Sequence, residues 1–445
     1  MRKIILSVTA TILLSSCGIY KKYQPTTTVP DNLYGEGVSV NDNDTTNLGC
    51  LDWKDLFTDS TLQRLIEKGL QNNADYLSAQ LRVEEAEATL LSAKLAFLPS
   101  FALAPQGSIS SFDKAKATQT YSLPITASWE IDIFGKLRNA KKQSKALYAQ
   151  SQDYKMAVRT KLIASIANTY YTLLMLDEQL TLANKTEAAW EETVKAARAL
   201  MEAGQYNEAG VAQMEAAYYN VQTSVLSLQE QINQTENSLA LLLAETPQHY
   251  GRGKLSAQHF PEIFSVGVPM QILANRPDVR STERALEAAF YPSITLSGNA
   301  GWTNSAGSLI INPAKFLASA VGSLIQPLFN RGQVIAQYRI AKAQQEEAVL
   351  AFRQSLLNAG NEVNNALKAY QTSKSKTLLF NNQINSLQKA MESTSLLMQH
   401  GTVNYLEVLT ARQALLDAQL AQTTNQFTEI QSLINLYQAL GGGQK

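Results

Sequence analysis

Residues 120–146 read TYSLPITASWEIDIFGKLRNAKKQSKA, and the change of period inside this stretch decides the fold. From Tyr121 to Ile133 the odd positions carry Tyr, Leu, Ile, Ala, Trp, Ile and Ile, whereas the even ones carry Ser122, Pro124, Thr126, Ser128, Glu130 and Asp132. Alternation at every second residue makes a strand with one apolar and one polar face. From Lys136 to Ala203 there is then no Gly or Pro and the period is helical. A short amphipathic strand therefore runs directly into a helix of roughly 100 Å.

The pattern occurs twice. FLPSFALAPQGSISSF (97–112) precedes the opening strand, and its Phe101, Leu103 and Ile109 alternate with Ser100, Ala102 and Ser108. FYPSITLSGNAGW (290–302) and LASAVGSLIQPLFNRGQ (317–333) form the second copy, followed by a helix from 333 to 400 interrupted only by Gly360. The fourth strand, about Phe316 to Phe329, alternates poorly and is placed mainly by the repeat. Gly204 and Gly401 mark turns, after which return helices are expected over about 211–246 and 402–440. Upstream, NADYLSAQLRVEEAEA (73–88) corresponds to NRPDVRSTERALEAA (275–289). Between Asp75 and Pro99 there are 24 residue steps, but between Asp278 and Pro292 only 14. Ten missing helical residues remove about 15 Å of rise. The expectation is a stretched segment from Leu286 to Pro292, a second hairpin that sits lower, or one that folds poorly.

The 445 residues carry 38 basic and 38 acidic side chains, scattered along the helices, which argues against a nucleic-acid surface. The start, MRKIILSVTATILLSSCG, combines Arg2 and Lys3 with an apolar run from Ile4 to Leu14 too short to span a bilayer. Leu14-Ser15-Ser16-Cys17 resembles a bacterial lipobox, in which Cys17 carries the lipid after cleavage, and Gly18 beyond it favours the outer membrane. Only Cys50 then remains, so no intrachain disulfide is expected. No later apolar run reaches transmembrane-helix length, so crossing a membrane requires a closed β-barrel. Four strands cannot close one, and several chains must pool their hairpins. Tyr121, Trp129, Trp302, Phe134 and Phe329 lie where strand ends would meet headgroups, as aromatic girdles do. Helices rich in Ala, Ser, Gln and Asn suit a tube wet on both sides.

The repeat, NRPDVRSTERAL (275–286), PLFNRG (327–332) and HGTVNYLEVLTARQALLDAQ (400–419) together resemble the TolC-type outer-membrane efflux proteins, in the lipoprotein branch that includes OprM and CusC. The resemblance covers roughly residue 50 to the C-terminus. It implies an α+β membrane protein: a homotrimer with a twelve-stranded β-barrel, four strands per chain, continued by a periplasmic α-helical barrel. It also implies docking to a periplasmic adaptor, around the turns at Gly204 and Gly401, and through it to an inner-membrane pump of the RND type. In such proteins the pore closes at rings of side chains on the second return helix. Here the ring positions are Leu406 and Thr410, with Glu407 beside them; relatives often carry an acid where Thr410 stands. Glu130 and Asp132 fall on the polar strand face, and three copies of each in a lumen would bias permeation toward cations.

The chain is accordingly divided into a signal peptide (1–16), a lipid-anchored segment (17–58), a first repeat (59–250, hairpin about 99–134), a girdle linker (251–274), a second repeat (275–440, hairpin about 293–329) and a flexible tail (441–445). His249, His259 and His400 are far apart, and no metal spacing, phosphate loop or catalytic constellation stands out, so no cofactor and no enzyme activity is expected. The leading function is passive conduction of a pump's substrate to the exterior. The duct of a type I protein secretion system would share the architecture, and a lipid-anchored coiled-coil scaffold without a pore is the rival that predicts no lipid-facing strands.

Overall fold

The computed structural model describes residues 48, 51–111, 117–132, 135–260, 276, 293–304, 316–325, 333–399 and 405–443. The chain opens with α1 (Trp53–Leu56), α2 (Ser60–Asn72) and α3 (Ala74–Leu95). Strands β1 (Ser100–Leu103), β2 (Gln106–Ser110) and β3 (Thr118–Ile131) precede α4 (Lys136–Glu202) and α5 (Glu208–Leu242). The second copy consists of β4 (Ser293–Asn304), β5 (Phe316–Ile325), α6 (Gln333–Gln399) and α7 (Tyr405–Ala439). Both long helices have 67 residues, and both return helices have 35, so the repeat read in the sequence is a repeat of lengths.

The sheet is antiparallel in the order β1/β2, β3, β4, β5. β1 and β2 keep one register against β3, from Ser100 opposite Ser128 to Ser110 opposite Thr118, and are one strand broken at Ala104 and Pro105. The break lies beside Pro124, and neither proline has an N–H to give the ladder; Ala104 N–H still reaches the Pro124 carbonyl at 3.1 Å. β4 pairs with β3 along its length, from Ile294 opposite Ile131 to Asn304 opposite Tyr121, so the second hairpin is laced to the first rather than dislodged from it. The shortened stretch from Leu286 to Pro292 lies outside the described residues, as do Cys17, Gly401, Phe134 and Phe329. β5 is described from Phe316 to Ile325, and the rest of the expected fourth strand, to Phe329, lies outside the described residues.

Local chemistry sets the helix ends. Gly204, at φ +70°, closes α4: its N–H bonds to Met201 and that of Gln205 to Leu200, the paired bonds of a Schellman turn. Asn207 caps α5 by accepting from Gly210 N–H at 2.7 Å, which starts the helix three residues earlier than expected, and α5 also ends earlier, at Leu242. Asn73 accepts from Tyr76 N–H and donates to the Leu242 carbonyl at 3.0 Å, tying the start of α3 to the end of α5.

α4 packs against α5, α6 against α7, and α7 against α4, with α3 beside α4. The main core sits part-way along the helices, where Tyr170, Tyr171, Leu173 and Leu174 of α4 meet Leu239, Val363, Ile434 and Tyr437 and are covered by Leu56, Phe57, Leu62 and Ile66 of the first helices. A second cluster, Trp190, Val194, Val211 and Met214, fills the far end of the α4–α5 pair. Elsewhere the long helices are only weakly apolar, and many hydroxyls, such as Thr181 and Thr377, satisfy themselves on the carbonyl four residues back. The glycines expected as a free tail are docked: Gly441 to Gly443 are buried, Thr160 Oγ1 donates to the Gly442 carbonyl at 2.8 Å, and Arg159 donates to the Gly443 carbonyl. No described helix is long and apolar enough to cross a membrane.

Candidate functional site

The candidate site is a path: the two-faced sheet, the junction where strands become helices, and the hairpin tips. On β3 the apolar parity of the sequence survives as a face. Phe101 lies opposite Ala127 and Leu103 opposite Ile125, and β4 continues the row with Leu296 opposite Trp129, Ala300 opposite Ile125 and Trp302 opposite Leu123. On β1, β2 and β3 this face has little protein cover in the single chain: Phe101 is 71%, Ile109 74% and Ile125 51% exposed. Apolar side chains so exposed on neighbouring strands need a non-aqueous neighbour. The opposite face is built of hydroxyls, with Ser108 and Thr120 oxygens 2.6 Å apart and Thr126 Oγ1 donating to the Ala102 carbonyl. Trp129 is half exposed on the apolar face, and its indole N–H donates to the Phe97 carbonyl at 3.0 Å, the amphipathic posture of an interfacial aromatic. Tyr121 lies at the far end of the same face, opposite Asn304.

At the junction the chain turns from β3 into α4 through Gly135, whose φ of +83° suits glycine. Asp132 organises the turn: its carboxylate accepts from the N–H of Leu137 and of Arg138, both at 3.0 Å, and from Arg138 Nε at 3.1 Å. Glu130 pairs with Lys136 Nζ at 2.9 Å. The two acids expected to charge a lumen are thus each matched by a base of the first helical turn. Asp132 also caps the helix from three residues before its N-cap, Gly135, a role the strand parity did not reveal, although an Asp a few residues before a long helix is the available signal.

At the tips, Leu406, Glu407 and Thr410 lie in the first two turns of α7, where Glu407 and Thr410 are exposed and Val408 between them is buried. Leu409 packs on the tip cluster with Tyr206, two residues beyond Gly204. A residue the sequence reading passed over, Arg412, ties this region together: Nη1 donates to Thr193 Oγ1 at 2.8 Å and to the Ala189 carbonyl at 3.4 Å, and the guanidinium lies 5.9 Å from the Trp190 ring centre.

Around the main core a strap from Tyr250 to Gln258 binds the helices. Arg252, almost wholly buried, donates from Nη2 to Asp177 of α4 at 2.9 Å and pairs through Nη1 with Glu236 of α5. Burial opposes its charge, but the two carboxylates outweigh that and hold its pKa above the usual arginine value. Arg276, from the NRPDVRST segment, pairs with Glu362 of α6 at 2.7 Å and donates to the Ala439 carbonyl of α7 at 3.1 Å. It borders a cavity of about 700 Å³ between α4, α6 and α7. His249 contacts Glu236 at 2.8 Å, and among the described residues no group of His, Cys, Asp and Glu is arranged to hold a metal.

A model of the outer membrane efflux protein family matches residues 65–245 and again 268–442, one match to each repeat. The cation efflux system protein CusC of Escherichia coli O6:H1 is 29% identical over 457 residues, 97% of each chain. The toluene efflux pump outer membrane protein TtgC of Pseudomonas putida is 27% identical, covering 100% of this chain and 96% of the relative. Among solved structures, one of CusC superposes with a TM-score of 0.82 at 27% identity, over 96% of this chain and 100% of that one. The open state of the Neisseria gonorrhoeae MtrE outer membrane channel gives 0.83 at 26% identity, over 96% and 98%.

Proposed function

Because this chain belongs to the outer membrane efflux protein family, and is an outer-membrane channel component of an efflux system, we propose that three copies close one conduit through which substrate passes passively. The observation that supports this most is the sheet, one face apolar and uncovered, continued by helices of about 100 Å. Its outermost strands, β1/β2 and β5, meet no further strand among the described residues. In lipid their edge N–H and C=O groups require partners, and copies of the same sheet supply them. The register suits closure. Ser100 is level, through Ser128, with Ser297 rather than with its repeat counterpart Ser293, and such a stagger from strand to strand is what tilted strands in a barrel demand.

The remaining assignments complete the reading. Cys17 carries the lipid that holds the segment before α1 at the membrane. A periplasmic adaptor engages the hairpin ends near Gly204 and Gly401 and connects the conduit to an inner-membrane pump of the RND type. Leu406 and Thr410, with Glu407 beside them, ring the opening where the helix pairs converge. The test is electron microscopy of the detergent-purified, lipidated protein. A three-fold tube with a stem near 100 Å is expected; monomers or irregular rods would overturn the trimeric conduit.

A further inference from the structure

Both long helices carry bases and no acid over their first three turns. Neither α4 nor α6 has an acid in its first turn; α4 has none before Asp153, and α6 none before Glu346. Instead Lys141, Lys142 and Lys145 stand in the first three turns of α4, all exposed. The second repeat places Arg339 and Lys342, also exposed, at the same distances after Gly332 as Lys142 and Lys145 lie after Gly135. The end of α3 beside them, from Ala88 to Leu98, contributes Lys94 and no acid.

Two contacts orient these bases. Lys136 pairs with Glu130, which lies on the polar face of β3 and so marks the inward direction. At 100° per residue, Lys141, Lys142 and Lys145 fall within an arc of about 100° on the opposite side of the helix. Lys141 Nζ lies 5.8 Å from the Phe97 ring centre, and the Phe97 carbonyl holds the indole of Trp129 on the apolar face. Exposed Leu91, Leu95 and Leu98 flank the same corner. Bases, an interfacial tryptophan and exposed leucines thus meet on the outward side at the rim where the strands end.

We propose that Lys141, Lys142, Lys145, Arg339 and Lys342 form a collar that binds the phosphate-bearing headgroups of anionic phospholipids in the periplasmic leaflet. The inference rests on the membrane-barrel reading. Clustered bases beside a membrane-spanning segment attract anionic lipid at about 1 kcal/mol each, about a fivefold effect per base, and the attraction is screened by salt. The collar fixes the height of the barrel in the bilayer and anchors the first three turns of each long helix.

The test measures lipid retained by the purified protein, by native mass spectrometry, from micelles containing equal phosphatidylglycerol and phosphatidylcholine. The wild type is expected to keep the anionic lipid preferentially at low salt and to lose the preference in about 0.5 M salt. K141Q/K142Q/K145Q should lower anionic retention several-fold to a hundredfold, leaving phosphatidylcholine retention unchanged. Equal retention of the two lipids by the wild type, or an unchanged preference in the variant, overturns the collar. Displacement of the anionic lipid by millimolar inorganic phosphate also overturns it, because a compact anion pocket and not a lipid surface would then be responsible. Flotation of Cys17→Ser forms of the wild type and the variant, which carry no lipid anchor, with pure phosphatidylcholine vesicles separates the two readings: failure of the form with intact lysines to float sinks the barrel itself.

Discussion

Ala244 has a positive φ, +56°, and is the only residue other than glycine to do so among the described residues. It closes α5 as Gly441 closes α7: in each case the residue's own N–H bonds three back, to Leu241 or Gln438, and the next N–H bonds five back, to Ala240 or Tyr437. The left-handed conformation costs an L-residue roughly 1–2 kcal/mol, partly offset by the smaller unfolded-state entropy of alanine. Ala244→Gly should therefore stabilise the fold by about 0.5–1 kcal/mol, read as a rise in the thermal midpoint, whereas Gly204→Ala should lower it by about 1 kcal/mol or more. An unchanged midpoint for Ala244→Gly would show that this turn relaxes its strain elsewhere. Asp59 offers a pH test at the same scale. Burial alone would raise its pKa, but the bonds from Tyr170 hydroxyl at 2.7 Å, Thr61 N–H and Gln258 outweigh burial and hold it below the ordinary value. A depressed folded-state pKa contributes stability above the unfolded-state pKa, about 3.9 for Asp, and loses it as pH falls through the folded value. The midpoint advantage of wild type over Asp59→Asn should be complete near pH 6 and shrink below about pH 4. An advantage independent of pH would assign the contact to neutral hydrogen bonding.

At the scale of elements, α7 meets α4 near the tips through Arg412 as well as through Leu409 on the apolar cluster around Trp190. Arg412 combines a charge-assisted bond to Thr193, a carbonyl contact and the face of Trp190. Such a set is worth about 1–3 kcal/mol where it is partly shielded from water. Arg412→Ala should accelerate amide exchange in the first turns of α7 by roughly tenfold or more, a factor of ten being about 1.4 kcal/mol. Arg412→Lys should rescue little, since a lysine cannot bridge three groups in one plane; unaltered exchange in the alanine variant would mean the contact is merely superficial. The repeat, the strand parity around Trp129 and the two helix lengths were legible in the sequence because each is a local periodicity. Arg412 was not, because its partners lie on α4, more than 200 residues away along the chain. The docked glycines were hidden for the same reason: Gly442 and Gly443 read as a loose end until Thr160 and Arg159 are placed beside them. The broken strand came from Pro105 and Pro124 falling at adjacent positions of facing strands, Pro124 opposite Ala104, which neither proline announces alone.

For the whole molecule the question is what charge a permeating solute would meet. The chain has as many acids as bases, and at the strand-to-helix junction the balance is also local, Glu130 with Lys136 and Asp132 with Arg138. Reading the polar face alone led to an expectation of a cation-attracting ring, since parity marks the acids but not the bases that turn toward them one helical turn later. Two opposite charges about 3 Å apart present a small field beyond a Debye length of about 8 Å at physiological salt. Glu130 and Lys136 together should therefore contribute little selectivity, and each should contribute much once its partner is gone. Glu130→Gln leaves Lys136 unmatched in every copy, so reversal potentials in planar bilayers under a salt gradient should shift toward anions. Lys136→Gln should shift them toward cations, and the double variant should return close to wild type. Asp132 is left in place because its loss would also unseat the start of α4. Additive shifts, with the double variant no closer to wild type than the sum of the singles predicts, would also approach zero net change, so the deciding quantity is size against salt. Unmasked single charges should lose most of their effect between about 0.1 and 1 M salt, as the Debye length falls from about 10 to 3 Å. If Glu130→Gln leaves the potential unchanged even at 0.1 M salt, the pair does not face the conducting path, and the polar face of β3 is not the wall of the lumen at that level.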